Sequence, residues 1–232
     1  MKNHNYMFKH QIISYLTICY CFLAFSQETV EKTIGDFNIV KVYDLINVEM
    51  VKSDSNQIQI TGVHRNDVEL VNRNGTLKIR MNPEKSFDGD DVYVTLFYKL
   101  IDVIDANEGS EIKVRDLIDQ YEIDLKAQEG AEIEAQLKVT YANIKSITGG
   151  IITAKGASTN QDVSVYTGGV FQGEDLETSF SEVSIQAGGE IYVNCKDRLD
   201  IKIRAGGNVY VYGNPKVIDE KRVLGGRVRR ME

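Results

Sequence analysis

Few side chains in this chain of 232 residues could do chemistry. Beyond residue 26 it has one histidine, His64, and one cysteine, Cys195. His64 lies in Thr61-Gly62-Val63-His64-Arg65-Asn66, which reads as a turn. Serine–histidine hydrolysis needs a partner constellation that sequence does not display, and one His with one Cys makes a poor zinc site. Cys195 stands two residues past an inward-facing Val193, the setting of a packed thiol rather than a nucleophile. Carboxylates are more plentiful. Asp102, Asp105 and Glu108 come before the first of a series of small-residue pairs, and Asp116, Asp119 and Glu122 follow the next strand. Glycosidases work with two carboxylates at set separations, but an acidic surface also supplies such pairs by chance. Asp88-Gly89-Asp90-Asp91 could offer Ca²⁺ hard oxygen ligands from Asp88, Asp90 and Asp91. It lacks the spacing and terminal Glu of an EF-hand loop, so a solvated turn is the simpler reading.

Tyrosines are the remaining candidates. Tyr192 and Tyr210 fall at equivalent outward positions of neighbouring repeats, with Tyr212 two residues on and Tyr166 on an outward column of the preceding strand. Stacked strands lie ~4.8 Å apart, so Tyr192 and Tyr210 should form a short aromatic ladder. Such rings could stack on sugars or anchor a protein partner, or they could pair only to stabilise the sheet.

These residues are carried by a repeat. The pairs Gly109-Ser110, Gly130-Ala131, Gly149-Gly150, Gly168-Gly169, Gly188-Gly189, Gly206-Gly207 and Gly225-Gly226 recur about every 20 residues, the signature of a stacked architecture. With the second member as position zero, apolar residues occupy −6 (Ile104, Leu125, Ile144, Val163, Val183, Ile201) and +2 (Ile112, Ile133, Ile152, Phe171, Ile191, Val209, Val228). Position +4 is apolar or small until Arg230, and −5 is polar. Alternation with period two means half-buried strands flanking each small pair. The expected fold is all-β, one coil per repeat, with successive coils in parallel register. Gly109, Gly130, Gly150, Gly169, Gly189, Gly207 and Gly226 read as structural corners. A phosphate-cradling role would need a strand–turn–helix context and a GxGxxG or GxxxxGK[ST] spacing, and neither is present. No cofactor is expected.

Residues 37–99 read as β of a different rhythm, with a hairpin turn at Asn74-Gly75. These N-terminal strands are expected to cap one end of a single domain over 37–232, in which the ladder occupies 100–232. Lys216 to Arg222 reads as a charged loop, and the charged strand Arg227–Arg230 as an edge protected from pairing.

The first 26 residues read as a signal peptide: Lys2 and Lys9, an apolar run from Ile12 to Phe25, and the small residues Ala24 and Ser26 before Gln27. Cys19 and Cys21 follow Ile18 and Tyr20, where a lipidation signal needs a small residue. A flexible leader is expected over 27–36. Removing 1–26 takes the formal charge from −7 to −9, which argues against nucleic-acid binding. No second long apolar run suggests a transmembrane span. Cys195 alone cannot form an internal disulfide.

The residues Gly35-Asp36-Phe37-Asn38-Ile39-Val40-Lys41-Val42, the segment Asn74-Gly75-Thr76-Leu77-Lys78-Ile79, the Gly-Gly ladder and Gly206-Gly207-Asn208-Val209-Tyr210-Val211-Tyr212-Gly213-Asn214-Pro215 together resemble the head GIN domain family. That family is common in exported proteins of Bacteroidetes, and its description as auto-transporter adhesins is an inference from shape. The resemblance implies a right-handed, single-stranded parallel β-helix-like solenoid with no catalytic motif to carry over. A non-catalytic exported protein follows, located in the periplasm, at the outer-membrane surface or outside the cell and contacting a surface glycan or an envelope protein. The alternative is a polysaccharide-active enzyme, a carboxylate-based hydrolase or lyase, on the same scaffold.

Overall fold

The computed structural model describes residues 29–231. The expected signal peptide, 1–26, lies outside them. In chain order the strands are β1 (Val30–Thr33), β2 (Ile39–Val42), β3 (Asn47–Lys52), β4 (Gln57–Gly62), β5 (Val68–Arg73), β6 (Thr76–Met81) and β7 (Val92–Tyr98), followed by β8 (Val103–Ala106) and β9 (Glu111–Val114). Five long strands come next: β10 (Ile118–Gln128), β11 (Glu132–Ile147), β12 (Ile151–Tyr166), β13 (Val170–Gln186) and β14 (Glu190–Arg204). The last three are β15 (Asn208–Tyr212), β16 (Val217–Val223) and β17 (Arg227–Arg230). They wind into a β-solenoid of about 7 turns with coils about 19 residues apart.

From β8 onward the coils stack in the register that the small pairs anticipate. Ile133 lies between Ile112 and Ile152, Phe171 between Ile152 and Ile191, and Val209 between Ile191 and Val228. The column Ile104, Leu125, Ile144, Val163, Val183 and Ile201 is equally continuous. Both columns are buried through Val209, each large member contributing roughly 1.5–3 kcal/mol. Volume is balanced between neighbouring columns. The Phe171 ring fills the space beside Gly173, where a Cβ would lie 2.3 Å from ring carbons. Where the pairing register of β13 shifts, between Thr178 and Phe180, the packing is polar: Thr178 and Ser181 hydroxyls lie 2.6 Å apart, and Ser181 donates to Gln161 Oε1 at 3.2 Å.

At each Gly corner the chain makes a tight turn. The residue before the pair and the first glycine both have positive φ, as at Thr167 (47°) and Gly168 (76°), while Gly169 N–H closes on Tyr166 O at 3.1 Å. Positive φ at both central residues is the type I′ pattern. In the Gly168–Gly169 corner the two glycines therefore serve different ends, whereas the second glycines Gly189, Gly207 and Gly226 also hold positive φ. A Cβ at Gly168 would meet nothing within 4 Å, so that position is about conformation. A Cβ at Gly169 would lie 2.5 Å from Ser146 Oγ and 2.7 Å from Ser146 O, so that position is about space. Ser110 and Ala131, both fully buried, fill the second position in the first two corners.

The N-terminal part caps one end, but its coils are out of chain order. The β2–β3 coil lies between the β6–β7 coil and the β8–β9 coil, with Val40 opposite both Leu77 and Ile104, and Val48 opposite both Val94 and Ile112. Its corner uses Asp44 and Leu45, with φ of 60° and 64°, in place of a glycine pair. The outer side of the β6–β7 coil is closed by antiparallel strands, β5 on β6 and β4 on β7. Asn74 and Gly75 make the β5–β6 turn, both with positive φ.

Two expectations need correction. The leader over 27–36 includes β1, which pairs antiparallel with β4, because the outer edge of β4 offers unpaired backbone groups. Lys216–Arg222 is not a loop: β16 runs parallel to β14, with Asp200 opposite Asp219 and Ile201 opposite Glu220. That strand puts Glu220 at the end of an aliphatic column and Arg222 beside it, and the two form an ion pair. Charges there and at Arg227, Arg229 and Arg230 close the solenoid against further stacking.

Candidate binding surface

The outward positions form columns along the solenoid axis. One reads Lys113, Glu134, Thr153, Gln172, Tyr192, Tyr210. Its members bond along the column: Lys113 pairs with Glu134 at 3.1 Å, and Thr153 Oγ1 donates to Gln172 Oε1 at 2.9 Å. Tyr192 and Tyr210 stack with centroids 4.5 Å apart and planes 15° apart. Each ring spends one face on the other, and both side chains are half-buried. Tyr212 follows two residues on along the same face of β15. Tyr166 does not join them; it precedes the next corner, with Lys145 Nζ 5.4 Å from its ring centroid.

The Tyr192 hydroxyl donates to Glu190 Oε2 at 3.0 Å, and Asn208 holds the other carboxylate oxygen at 3.1 Å. Partial burial, followed by the Glu190 hydrogen bond, pushes the Tyr192 phenol up to about 12. An unfolded tyrosine ionises near ~10, so this contribution is full below that pH and is lost as pH rises toward the folded value. Alkaline titration of tyrosinate absorbance should show a late phase that shrinks in Tyr192→Phe. It should not vanish, because buried Tyr98 is also raised to about 12. An unchanged curve would contradict the assignment.

The other sequence candidates are engaged in holding the fold. Asp102 accepts from Asn38 at 2.6 Å, buried Asp105 pairs with Lys41 at 2.7 Å, and Asp116 accepts from Lys52 N at 2.7 Å. Asp119 pairs with Lys138 at 2.8 Å and Glu122 accepts from Asn143 at 2.7 Å. Partial burial, then the Asp44 charge, raises the Glu108 carboxyl. These ties join one coil to another. Asp88 turns to Lys85 at 3.1 Å and to His64 at 3.7 Å, and the Lys85 hydrogen bond lowers its pKa. Asp88, Asp90 and Asp91 do not converge, and among the described residues no group of three metal-capable side chains forms. Cys195 is buried and free, its thiol 3.1 Å from Arg198 O.

The sequence reading missed a second surface. At position −9 lie Tyr141, Asn160, Phe180 and Arg198, in register on successive coils. Glu122 precedes them in the same column, and its neighbour Tyr121 meets Tyr141 with centroids 5.3 Å apart. Tyr121, Tyr141 and Phe180 are 65%, 39% and 47% exposed. Beside this column runs an acidic one (Asp124, Asn143, Asp162, Glu182, Asp200, Asp219) and then a largely basic or hydroxyl one (Lys126, Lys145, Ser164, Ser184, Lys202, Lys221). A groove of about 350 Å³ opens between Tyr141 and Phe180, lined also by Asn143, Asn160, Asp162 and Glu182. The signal was available: extending the register from −6 to −9 lines these residues up.

A family described as "Putative auto-transporter adhesin, head GIN domain" matches residues 36–215. The chain belongs to the head GIN domain family. No curated protein matches it by sequence. Among solved structures, a protein described as a "putative adhesin", from Bacteroides fragilis, is similar with a TM-score of 0.81 at 16% identity, over 89% of this chain and 97% of that one. A protein described as lipid-binding, from Parabacteroides distasonis, gives 0.68 at 16% identity over 88% and 96%. Another described as a "putative adhesin", from Parabacteroides merdae, gives 0.63 at 16% over 88% and 96%. At that identity the likeness speaks for the head GIN fold alone. No helix among the described residues is long and apolar enough to cross a membrane.

Proposed function

We propose that this head GIN protein is an exported, non-catalytic adhesion protein that presents its outer columns to a surface glycan or an envelope protein. The observation that carries the reading is the set of exposed rings, Tyr121, Tyr141 and Phe180, held on a rigid ladder within an otherwise charged face. Exposed aromatics grouped on a rigid surface are typical of contact sites. The carboxylates that could have formed a hydrolytic pair serve instead as cross-coil ties. Export rests on the pattern of residues 1–26, and it places the protein in the periplasm, on the outer-membrane surface or outside the cell.

The test uses residues 27–232 on a glycan array and on isolated envelope fractions, with a reducing-sugar assay in parallel. Saturable binding without release of reducing ends is expected. Release that disappears in Asp119→Asn with Glu122→Gln would overturn the non-catalytic reading in favour of an enzyme.

A further inference from the structure

The geometry points to the groove between Tyr141 and Phe180 as the ligand site, and to a neutral, extended oligosaccharide as what it takes. This rests on the adhesion reading above and goes further by naming a site and a ligand class.

Tyr141 and Phe180 are two coils apart with Asn160 between them, in one straight column. Two coil rises put the rings roughly 9–10 Å apart. That interval suits an extended β-1,4-linked chain, in which every second sugar turns the same face to a surface. Unlike Tyr192 and Tyr210, these two rings do not stack on each other, since an asparagine intervenes. Tyr141 is met by the tilted Tyr121 ring at 5.3 Å, and the exposed parts of Tyr141 and Phe180 can take the C–H face of a sugar ring. The groove also carries what sugar hydroxyls need, the amides of Asn143 and Asn160 and the carboxylate of Asp162.

Asp162 is the unusual member. Glu182 is paired with Lys202, and Asp200 is held in a fork by Arg198 at 3.0 and 2.8 Å. Of the three carboxylates lining the groove, Asp162 alone has no hydrogen bond or ion pair to a described residue. Partial burial, then the Glu182 charge, raises its pKa, with Lys202 opposing. Its two oxygens can accept a pair of hydroxyls, which would relieve that environment without adding charge. The acidic column, with the chain's net negative charge, rejects polyanionic chains.

The experiment titrates residues 27–232 with three probes: β-1,4-linked glucose oligomers, β-1,4-linked N-acetylglucosamine oligomers and a β-1,4-linked uronic acid oligomer, read by calorimetry. At least one neutral probe should bind and the uronic acid oligomer should not. Phe180→Ala should weaken binding by about tenfold or more, Phe180→Trp should retain it, and Asp162→Asn should weaken it several-fold. Tyr192→Ala with Tyr210→Ala should leave it unchanged. Phe180 is exposed, so its variants should melt close to the wild type. The assignment falls if no neutral probe binds, if Phe180→Ala binds as well as wild type, or if the uronic acid oligomer binds equally. Binding to envelope fractions that survives Phe180→Ala would leave the adhesion reading standing while removing the groove. Failure to bind any glycan or envelope fraction would instead remove the adhesion reading itself.

Discussion

Val209→Asp should destabilise the solenoid by more than about 4 kcal/mol, enough to place it in the exceptional tail of point substitutions. Val209 is 0% exposed and sits between Ile191 and Val228 in the +2 column. A carboxylate there has aliphatic side chains above and below, with no cation to pair it. Coils contact mainly their neighbours, so stability is close to a sum of coil and interface terms. The damage should therefore concentrate in β15, β16 and β17 and in the part of β14 they cover. Ile191→Val, one coil away in the same column, removes one methylene group and should cost about 0.5–1.5 kcal/mol. Thermal melts followed by circular dichroism would compare the two. Hydrogen exchange would show whether protection is lost first at the C-terminal coils. Equal melting of the two variants would contradict the inward column.

Most of the ladder was legible because parallel, in-register coils leave little choice. Once small pairs recur with alternating strands between them, each residue's neighbours along the axis are its counterparts one period away. The pairing of Ile112, Ile133, Ile152 and Phe171 follows that rule without exception. The interleaving of the β2–β3 coil was not legible. It pairs residues such as Lys41 and Asp105 across 64 positions, and its corner at Asp44 and Leu45 lacks the glycine pair that marks the others. β16 was missed because its residues are charged, and composition speaks for loop when a strand's role is to end a stack. The Tyr192–Tyr210 stack was visible in the sequence. Its ring orientation was not, and orientation is what turns those faces toward each other and leaves Tyr141 and Phe180 as the more accessible surface.

The roles of the glycines went furthest beyond the sequence, and they carry the second large prediction. Gly169→Val should cost about 3 kcal/mol or more by overpacking, whereas Gly168→Ala should cost about 1–2 kcal/mol through the left-handed backbone alone. At Gly168 there is open space, and Thr167 beside it already holds positive φ with a β-branched side chain. At Gly169 the first added atom strikes the Ser146 hydroxyl and its backbone. That hydroxyl donates to Gly150 O and accepts from Val170 N at 3.0 Å, so it ties one corner to the next. Pushing it aside adds the loss of these buried hydrogen bonds to the steric cost. Denaturant melts of the two variants decide the matter. If Gly168→Ala proved the worse, the corner would depend on conformation more than on close approach between coils. Ser110 and Ala131 show that a small side chain can occupy the second position in other corners, so Gly169→Ala should fall between the two. A branched side chain at that position would have to push neighbouring coils apart, and parallel β ladders separated by more than their normal spacing lose their hydrogen bonds.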